Sequence, residues 1–580
     1  MLLQHRRFVN PPPKPLFALS YDQDSFAHDG VPIVGRRSAG TSLLDALYRY
    51  LPEGGFAAIP SDLASLNDFF RDADKRGTFG ATVPILDPNR IEHLKAAGSV
   101  FSPIPNIDRL AMLRRSESET AFSVIGLTHT LSTDRIYGLL LNLLLAPLHP
   151  WDALICTSFA AKAAVKNILK SHSAYLETRG FKVPEIPFQM PVIPLGIHCD
   201  QFERTWPRQN AARQWRAQKG INNSDIVFLN FGRIDPFTKS HPLPLLLAMD
   251  TAQKRIGDFP KLHLLFVGAP SDQEVEAKVS KLVDELTPSC IVHFIDGKNA
   301  DITDFIWSAA DVFISLSDNV QESFGLTPLE AMAASLPCIV SDWSGYRDTV
   351  INQKTGFLIP SIIPSDSSNL GQYFGDSYFE GQADYLDYVG GLSQLTSIDV
   401  FECANRIESL AKSATERQRM GQNGLQNVTK NYDWGVVLPK YLALFSELTN
   451  LRQNAICKDM PSRGCIHPFN PDPFMAFQSF ASETATADSY VCVADPTQVT
   501  VEWLKSCSLT NFAEDVLFED LDTMLSLITS YKTPQISDIC RQLPDASPES
   551  VIASCLWLAK YGVVRLSNSK RSVDDSFNSI

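Results

Sequence analysis

SLSDNVQESFGLTPLEAMAASLPCIVSDWS, residues 315–344, sets two glutamates, Glu322 and Glu330, on either side of a Phe324-Gly325-Leu326 turn. Just before it, Val312-Phe313-Ile314 is a short β-branched and aromatic run that predicts a buried strand. Thr327-Pro328-Leu329-Glu330 has the form of a capping box, with Thr327 at the N-cap, Pro328 at the first helical position and Glu330 three residues on. A helix is expected to begin there. Its free amides and positive dipole end would face the loop of Glu322 and Gly325, an arrangement suited to phosphate or carbohydrate oxygens. Leu336-Pro337 stops the helix, and Cys338-Ile339-Val340 reads as the next buried strand. Ala331, Ala333 and Ala334 keep the helix thin enough to lie close on a sheet.

Outward from this stretch, strands and helical runs alternate along most of the chain. Phe17–Ser20, Phe56–Ile59, Phe122–Ile125, Leu154–Cys156 and Val192-Ile193 form a first series. Ile226–Phe231, Leu262–Val267, Ile291–Phe294, Val312–Ile314 and Cys338–Val340 form a second, after a polar stretch at 204–223. Such alternation implies parallel sheets wrapped by helices, an α/β fold of two doubly wound halves. Ligands in such sheets bind beyond the carboxyl ends of the strands, so the residues just after each run are the candidates.

At the end of Ile226–Phe231 stands Gly232-Arg233, with Lys239 six residues after the arginine in GRIDPFTKSHPL. A guanidinium fork and a compact ammonium can hold one diphosphate without a metal, although the same pair could be two surface cations. His129 follows Phe122–Leu127 in GLTHT; a lone histidine is usually structural, and its strand-end position is what brings the functional reading level with that one. Val34–Thr41 (VGRRSAGT) reads as a glycine-bearing loop between a strand and the helical run 42–51, with Gly40, or else Gly35, letting backbone approach a phosphate. Taken singly, Glu330 could be only a capping residue and Glu322 only a solvated loop charge.

Taken together, Glu322, Ser323-Phe324-Gly325, Glu330 and the downstream Ser341-Asp342-Trp343-x-Gly345-Tyr346-x-Asp348 resemble the E-x7-E region of the family 4 retaining glycosyltransferases of the GT-B fold. The resemblance covers roughly residues 16–449. It implies two Rossmann-like domains facing across a cleft: an acceptor domain at 1–205 and a nucleotide-sugar donor domain at 206–449. The run from Tyr432-Asp433-Trp434 to Leu448 resembles the family's terminal helices, which cross back onto the first domain. By the same resemblance Glu322 binds donor-sugar hydroxyls and Glu330 the ribose. The backbone of Phe324, Gly325, Leu326 and Thr327 supports sugar or phosphate, Arg233 and Lys239 steady the leaving diphosphate, and His129 stands in the active site. Gly40 matches the family's glycine loop, and Pro194-Leu195-Gly196-Ile197 its element near the cleft, with His198 where an aspartate is usual. The implied activity is retaining transfer of a hexosyl group from a nucleotide-diphosphate sugar to a glycan, lipid-linked or small-molecule acceptor, with no metal and no cofactor. A non-catalytic GT-B scaffold carrying a regulatory tail is the alternative, and a GT-B epimerase or phosphorylase is a second enzymatic reading.

Bulk properties agree with an enzyme of this kind. The 580 residues exceed one core, and 44% hydrophobic with 20% charged residues is ordinary for globular protein. A formal net charge of −14 opposes nucleic-acid binding, which needs clustered positive charge. Eleven cysteines without a C-x-x-C pair suit a reducing compartment, and Cys457, Cys465 and His467 lack a fourth metal ligand. Asp22-Gln23-Asp24 and Asp520-Leu521-Asp522 match a D-x-D metal motif, but such triplets arise readily by chance. The N-terminus, MLLQHRRFVNPPPKPLF, lacks an apolar core and a cleavage site, so the expected location is the cytoplasm, with peripheral contact at the membrane's inner face in view. Ile136–Leu148 (IYGLLLNLLLAPL) is shorter than the roughly 20 residues of a membrane span and reads as a buried helix. Residues 365–391, rich in Gly, Asp, Ser and Tyr, read as an insertion or surface loop that approaches the acceptor.

Beyond residue 450 lies an accessory module. Pro468–Phe474 reads as a linker. Ile536–Cys540, Ser547–Leu558 and Tyr561–Leu566 resemble the helix, helix and wing of a winged-helix module. With ten basic against sixteen acidic side chains after residue 450, a protein contact or packing role suits it better than DNA.

Overall fold

Two parallel sheets carry the first 450 residues. The first has strands β1 (Ala18–Tyr21), β2 (Ala57–Pro60), β3 (Ser99–Ser102), β4 (Ser123–Leu127) and β5 (Ala153–Ile155), ordered β2-β1-β3-β4-β5. The second has β6 (Ile226–Phe231), β7 (Leu262–Val267), β8 (Ile291–Ile295), β9 (Val312–Ser315), β10 (Cys338–Ser341) and β11 (Gly356–Ile359), ordered β11-β10-β9-β6-β7-β8. Every pairing within both sheets is parallel. Helices cover both faces, which is why the strands are apolar on both sides: β2, β3, β4, β7 and β9 are buried at every residue. The second sheet has the six-strand Rossmann order and the first the flavodoxin-like order, each with one topological switch point, between β6 and β9 and between β1 and β3. These are two Rossmann-like domains of the GT-B class. The computed structural model describes residues 15–26, 35–76, 83–87, 90–115, 117–183, 185–268, 273–365, 369–455, 472–494 and 499–570.

The chain divides into two compact units, 1–465 and 466–580. In the first, the helix Trp434–Gln453 follows the second sheet and packs on residues of the first. Phe445 meets Phe17 edge-on with centroids 5.0 Å apart, Trp434 donates from Nε1 to Ser42 Oγ (2.7 Å), and the Arg452 guanidinium reaches Ser123 Oγ and Thr120 O. Gly196 lies under the Trp434 indole, where a Cβ would come within 2.5 Å of the ring. His198, in place of an aspartate, is buried with its Nε2 near Ser42 O (3.3 Å).

Several local expectations change. β3 and β11 escape a reading of the sequence, because each is only four residues long and opens on Ser99 or Gly356 rather than on an apolar residue. Val192-Ile193 is a single bridge to Cys156 rather than a strand. Residues 35–41 are not a loop: the helix Gly35–Tyr50 already includes them. Residues 365–391 hold two helices, Leu370–Phe379 and Tyr385–Gln394, the second started by a capping box of Asp384 and Asp387. The apolar run after residue 136 is the helix Asp134–Leu145, and it is only partly buried: Leu140, Leu143 and Leu144 enter the core while Ile136 and Leu139 face the cleft. Among the described residues no helix is long and apolar enough to cross a membrane.

The second unit is mainly helical, with antiparallel strands Tyr490–Val493 and Val564–Ser567. Helices Leu521–Tyr531, Ile536–Gln542 and Pro548–Lys560 pack Met524, Ile528, Ile539, Val551, Cys555 and Leu558 into one core. The expected helix pair is there, but the wing is not a hairpin: Val564–Ser567 pairs with the strand before the helices. Cys457, Cys465, His467 and most of the Pro468–Phe474 linker lie outside the described residues.

Candidate active site

The two switch points open onto one cleft of about 1110 Å³. On the side of the second sheet it is lined by Gly232 and Arg233 after β6, Lys239, and Gln321–Thr327 with Glu330 after β9. On the side of the first sheet it is lined by Asp22–Asp24 after β1, Ile104–Asn106 after β3, His129 after β4, and Gly35, Arg36 and Ser38 from the first helix. Residues hundreds of positions apart thus meet because they follow the strands flanking the two crevices.

The long interval from Arg233 to Lys239 is closed by Asp235. Its carboxylate accepts from the amides of Phe237 (2.9 Å) and Thr238 (3.1 Å) and from the Thr238 hydroxyl, folding residues 235–238 into a turn. Lys239 therefore returns toward Gly232, where a Cβ would sit 3.6 Å from Lys239 Cε. Gly232 has φ +145, a value open to glycine and few others. The Lys239 ammonium is ion-paired with Glu322. Burial disfavours the charge of Lys239, but the Glu322 carboxylate more than offsets this and holds the group above the ordinary lysine range. Arg233 approaches Asp235 at 3.6 Å with its side chain 41% exposed, so its fork is free enough to turn to a ligand.

Glu330 stands in the first turn of the helix Thr327–Ala333, and burial pushes its carboxyl up to about 7 against the opposing pull of Lys239. Thr327 is not the N-cap. Leu326 takes that position with no side-chain cap, and beneath the turn lies the buried Tyr346, whose hydroxyl shares a 3.0 Å hydrogen bond with Ser315 Oγ. Tyr346 explains the glycine of the turn: Gly325 has φ +82, and a Cβ there would lie 2.1 Å from the Tyr346 ring. Phe324 is buried beneath the cleft floor, and Leu326 and Thr327 border the cleft with Gly325.

On the opposite wall, burial and then the charge of Arg36 push His129 down to about 4, so its imidazole is neutral near pH 7. Gly40 does not reach the cleft. It is a packing glycine of the first helix, where a Cβ would meet Ser25 O at 2.0 Å, and Gly35 is the one at the cleft edge. Of the D-x-D aspartates, Asp22 binds the Ser25 amide and hydroxyl at 2.8 Å, Asp24 lies near Arg36 and Arg37, and Asp520 caps a helix of the second unit. Among the described residues no group of three or more His, Cys, Asp or Glu could hold a metal ion.

Sequence reasoning missed the turn-forming Asp235, and also Gln321 and Tyr385 at the cleft. Asp235-x-x-Thr238 has the spacing of a local aspartate turn and could have been found; nothing local marks Tyr385.

Residues 211–368 match the family model of glycosyl transferases group 1. That group 1 segment contains Arg233, Lys239, Glu322 and Glu330, and ends just before the helix Leu370–Phe379. The chain is also similar to the D-inositol 3-phosphate glycosyltransferase of Geodermatophilus obscurus, 30% identical over 186 residues, 31% of this chain and 39% of that protein. It is 26% identical over 247 residues to the alpha-monoglucosyldiacylglycerol synthase of Streptococcus pneumoniae, covering 41% of this chain and 50% of that one. The chain thus spans half or less of these relatives' length. Anabaena HepE in complex with UDP superposes over 74% of this chain and 99% of its own, with 16% identity and a TM-score of 0.48.

Proposed function

We propose that this chain is a retaining, metal-independent glycosyltransferase that moves a hexosyl group from a nucleoside-diphosphate sugar to a glycan, lipid-linked or small-molecule acceptor. The observation that carries the reading is the constellation of Arg233, Lys239, Glu322 and Glu330 at the switch point of the second sheet, inside the group 1 segment.

In this reading Arg233 and Lys239 hold the diphosphate, the first as a planar fork and the second as a point charge. Diphosphate oxygens then compete with Glu322 for the Lys239 ammonium, which frees Glu322 to bond sugar hydroxyls. Glu330, ionised, accepts from the ribose hydroxyls. The anomeric C–O bond to the diphosphate breaks as the acceptor oxygen bonds the same face, and the departing phosphate takes the acceptor's proton. The two cations stabilise the charge that develops on the leaving group, the largest contribution such a site can make. His129, neutral, serves as a hydrogen-bond partner for a hydroxyl rather than as a proton donor.

Isothermal calorimetry with UDP, GDP and ADP in EDTA tests this. Binding of one nucleotide without metal supports it and names the donor base; failure of all three favours the non-catalytic scaffold and turns attention to protein partners of residues 450–580. Product analysis with the chosen donor separates transfer from epimerisation or phosphorolysis.

A further inference from the structure

The residue after Glu322 is bonded directly to the first domain, and the residue before it lines the cleft with Tyr385, which is bonded there too. Ser323 accepts at its carbonyl oxygen from Ser158 Oγ (2.8 Å), the N-cap of the first-domain helix Phe159–Thr178. The next amide of that helix, Phe159 N, donates to Asp348 Oδ2 at 2.7 Å, a second tie to the donor domain beside the first. On the other side of Glu322, Gln321 lines the cleft together with Tyr385, whose hydroxyl shares a 2.9 Å hydrogen bond with first-domain Ser132 Oγ.

Tyr385 belongs to the helical hairpin 370–394, which lies beyond the group 1 segment. The hairpin itself spans the domains. Tyr388 meets first-domain Tyr137 through their hydroxyls at 3.1 Å and stacks on Tyr378 with centroids 4.8 Å apart. On the donor side, Val389 O accepts from Asn319 Nδ2 (3.4 Å), and Gly390 lies against Phe237. Asn319 in turn accepts from the Gln321 amide at 2.9 Å, so the hairpin braces the very loop that presents Glu322.

We infer that Ser158, on the acceptor domain, and Tyr385, through its bond to acceptor-domain Ser132, are positioning residues for Glu322, so that closing the cleft and placing the catalytic carboxylate are one event. The inference rests on the reading of this cleft as a sugar-transfer site. An open cleft would lose the Ser158–Ser323 and Ser132–Tyr385 bonds, leaving the loop of Glu322 held by Lys239, whose charge the diphosphate also claims, and by a hairpin no longer tied across the cleft. A donor bound to an open cleft is then held but not turned over, which protects it from water until an acceptor domain is in place.

Two variants remove the ties with little else. Tyr385→Phe deletes one hydroxyl, and Ser158→Gly deletes the other while keeping a residue tolerated at helix N-caps. Hydrogen exchange of the full chain without ligand is the first readout. Exchange across residues 318–326 should quicken at least fivefold in both variants, with strands β6–β11 unchanged; unaltered protection overturns the inference whether or not sugar turnover is ever detected. The second readout is steady-state hydrolysis of UDP-glucose, GDP-mannose or ADP-glucose, whichever the wild type uses. Turnover should fall at least tenfold with donor KM and nucleotide affinity within twofold, and Ser158→Thr, which keeps the hydroxyl, should restore most of it. Wild-type turnover in the two variants overturns the inference, as does a loss confined to KM. A wild type that binds none of the nucleotides would instead sink the proposed function, and the exchange measurement would still judge the ties.

Discussion

Lys239 and Glu322, 83 residues apart in sequence, form an ion pair in the cleft, each side chain largely shielded from water. Breaking a shielded pair from one side leaves the other charge uncompensated, typically a cost of about 3–5 kcal/mol. In the proposed reading a diphosphate offers Lys239 a replacement partner, so a donor would open the pair.

Glu322→Gln keeps the shape and removes the charge. Donor turnover is expected to fall about 100-fold or more, while the circular dichroism spectrum stays that of the wild type. Turnover within threefold of wild type would remove Glu322 from the catalytic assignment.

Lys239→Ala removes a charge-assisted contact of about 1.5–3 kcal/mol to phosphate, equivalent to roughly 10- to 150-fold in affinity. Calorimetry with the preferred nucleoside diphosphate should read that weakening. An unchanged dissociation constant would mean the diphosphate lies elsewhere.

Glu330 gives a pH signature. Burial raises its carboxyl to about 7 in the empty protein, so the folded chain holds a proton that the unfolded chain releases near pH 4.5. Its contribution to stability is therefore greatest in acid and declines as pH rises from about 4.5 to 7. Ribose hydroxyls favour the ionised form, so a UDP-hexose, whose diphosphate does not titrate in this range, should bind about tenfold more weakly at pH 6 than at pH 8. Glu330→Gln should flatten that profile; a slope that survives the substitution would assign it to another group.

Gly325→Ala meets two obstacles, the φ of +82 and the Tyr346 ring 2.1 Å from the added carbon. The loop must shift, and a loss of about 2 kcal/mol or more is expected, read as a lower thermal midpoint together with weakened nucleotide binding. A midpoint equal to wild type would show that the turn is not held against Tyr346.

Removing residues 466–580 should leave nucleotide affinity within threefold, whereas a cut after residue 450 should also lower the thermal midpoint. The second truncation takes away Arg452, whose guanidinium bonds Thr120 O, Ala121 O and Ser123 Oγ. Equal midpoints for the two truncations would deny Arg452 that role.

The second-sheet side of the cleft was legible in the chain because its parts are local. β6 and β9 have the ends read from their apolar runs to within one residue, and a strand end places the residues just after it at the cleft. Gly232-Arg233 and the Glu322-to-Glu330 interval could therefore be read where they stand. Thr327 misled because the chain is already in helical conformation at Leu326, which takes the N-cap position and leaves Thr327 as the first helical residue. Gly40 misled because a buried helix–loop approach demands glycine as firmly as a phosphate does. The hairpin 370–394 looked like a loop because its tyrosines and glycines give no helical period; those tyrosines are spent on partners in the other domain.

By itself the sequence determined the two doubly wound halves, since alternation of buried strands and helices leaves few other ways to bury apolar residues on both sheet faces. It also determined which cations and carboxylates stand at the strand ends of the second half. Only the tertiary structure decided what aligns them: the ion pair of Lys239 with Glu322 and the bond from Ser158 to the residue beside Glu322. Those are contacts between residues up to 165 positions apart, and a hydrogen bond of that kind depends on the approach of two surfaces, which no local pattern of residues encodes.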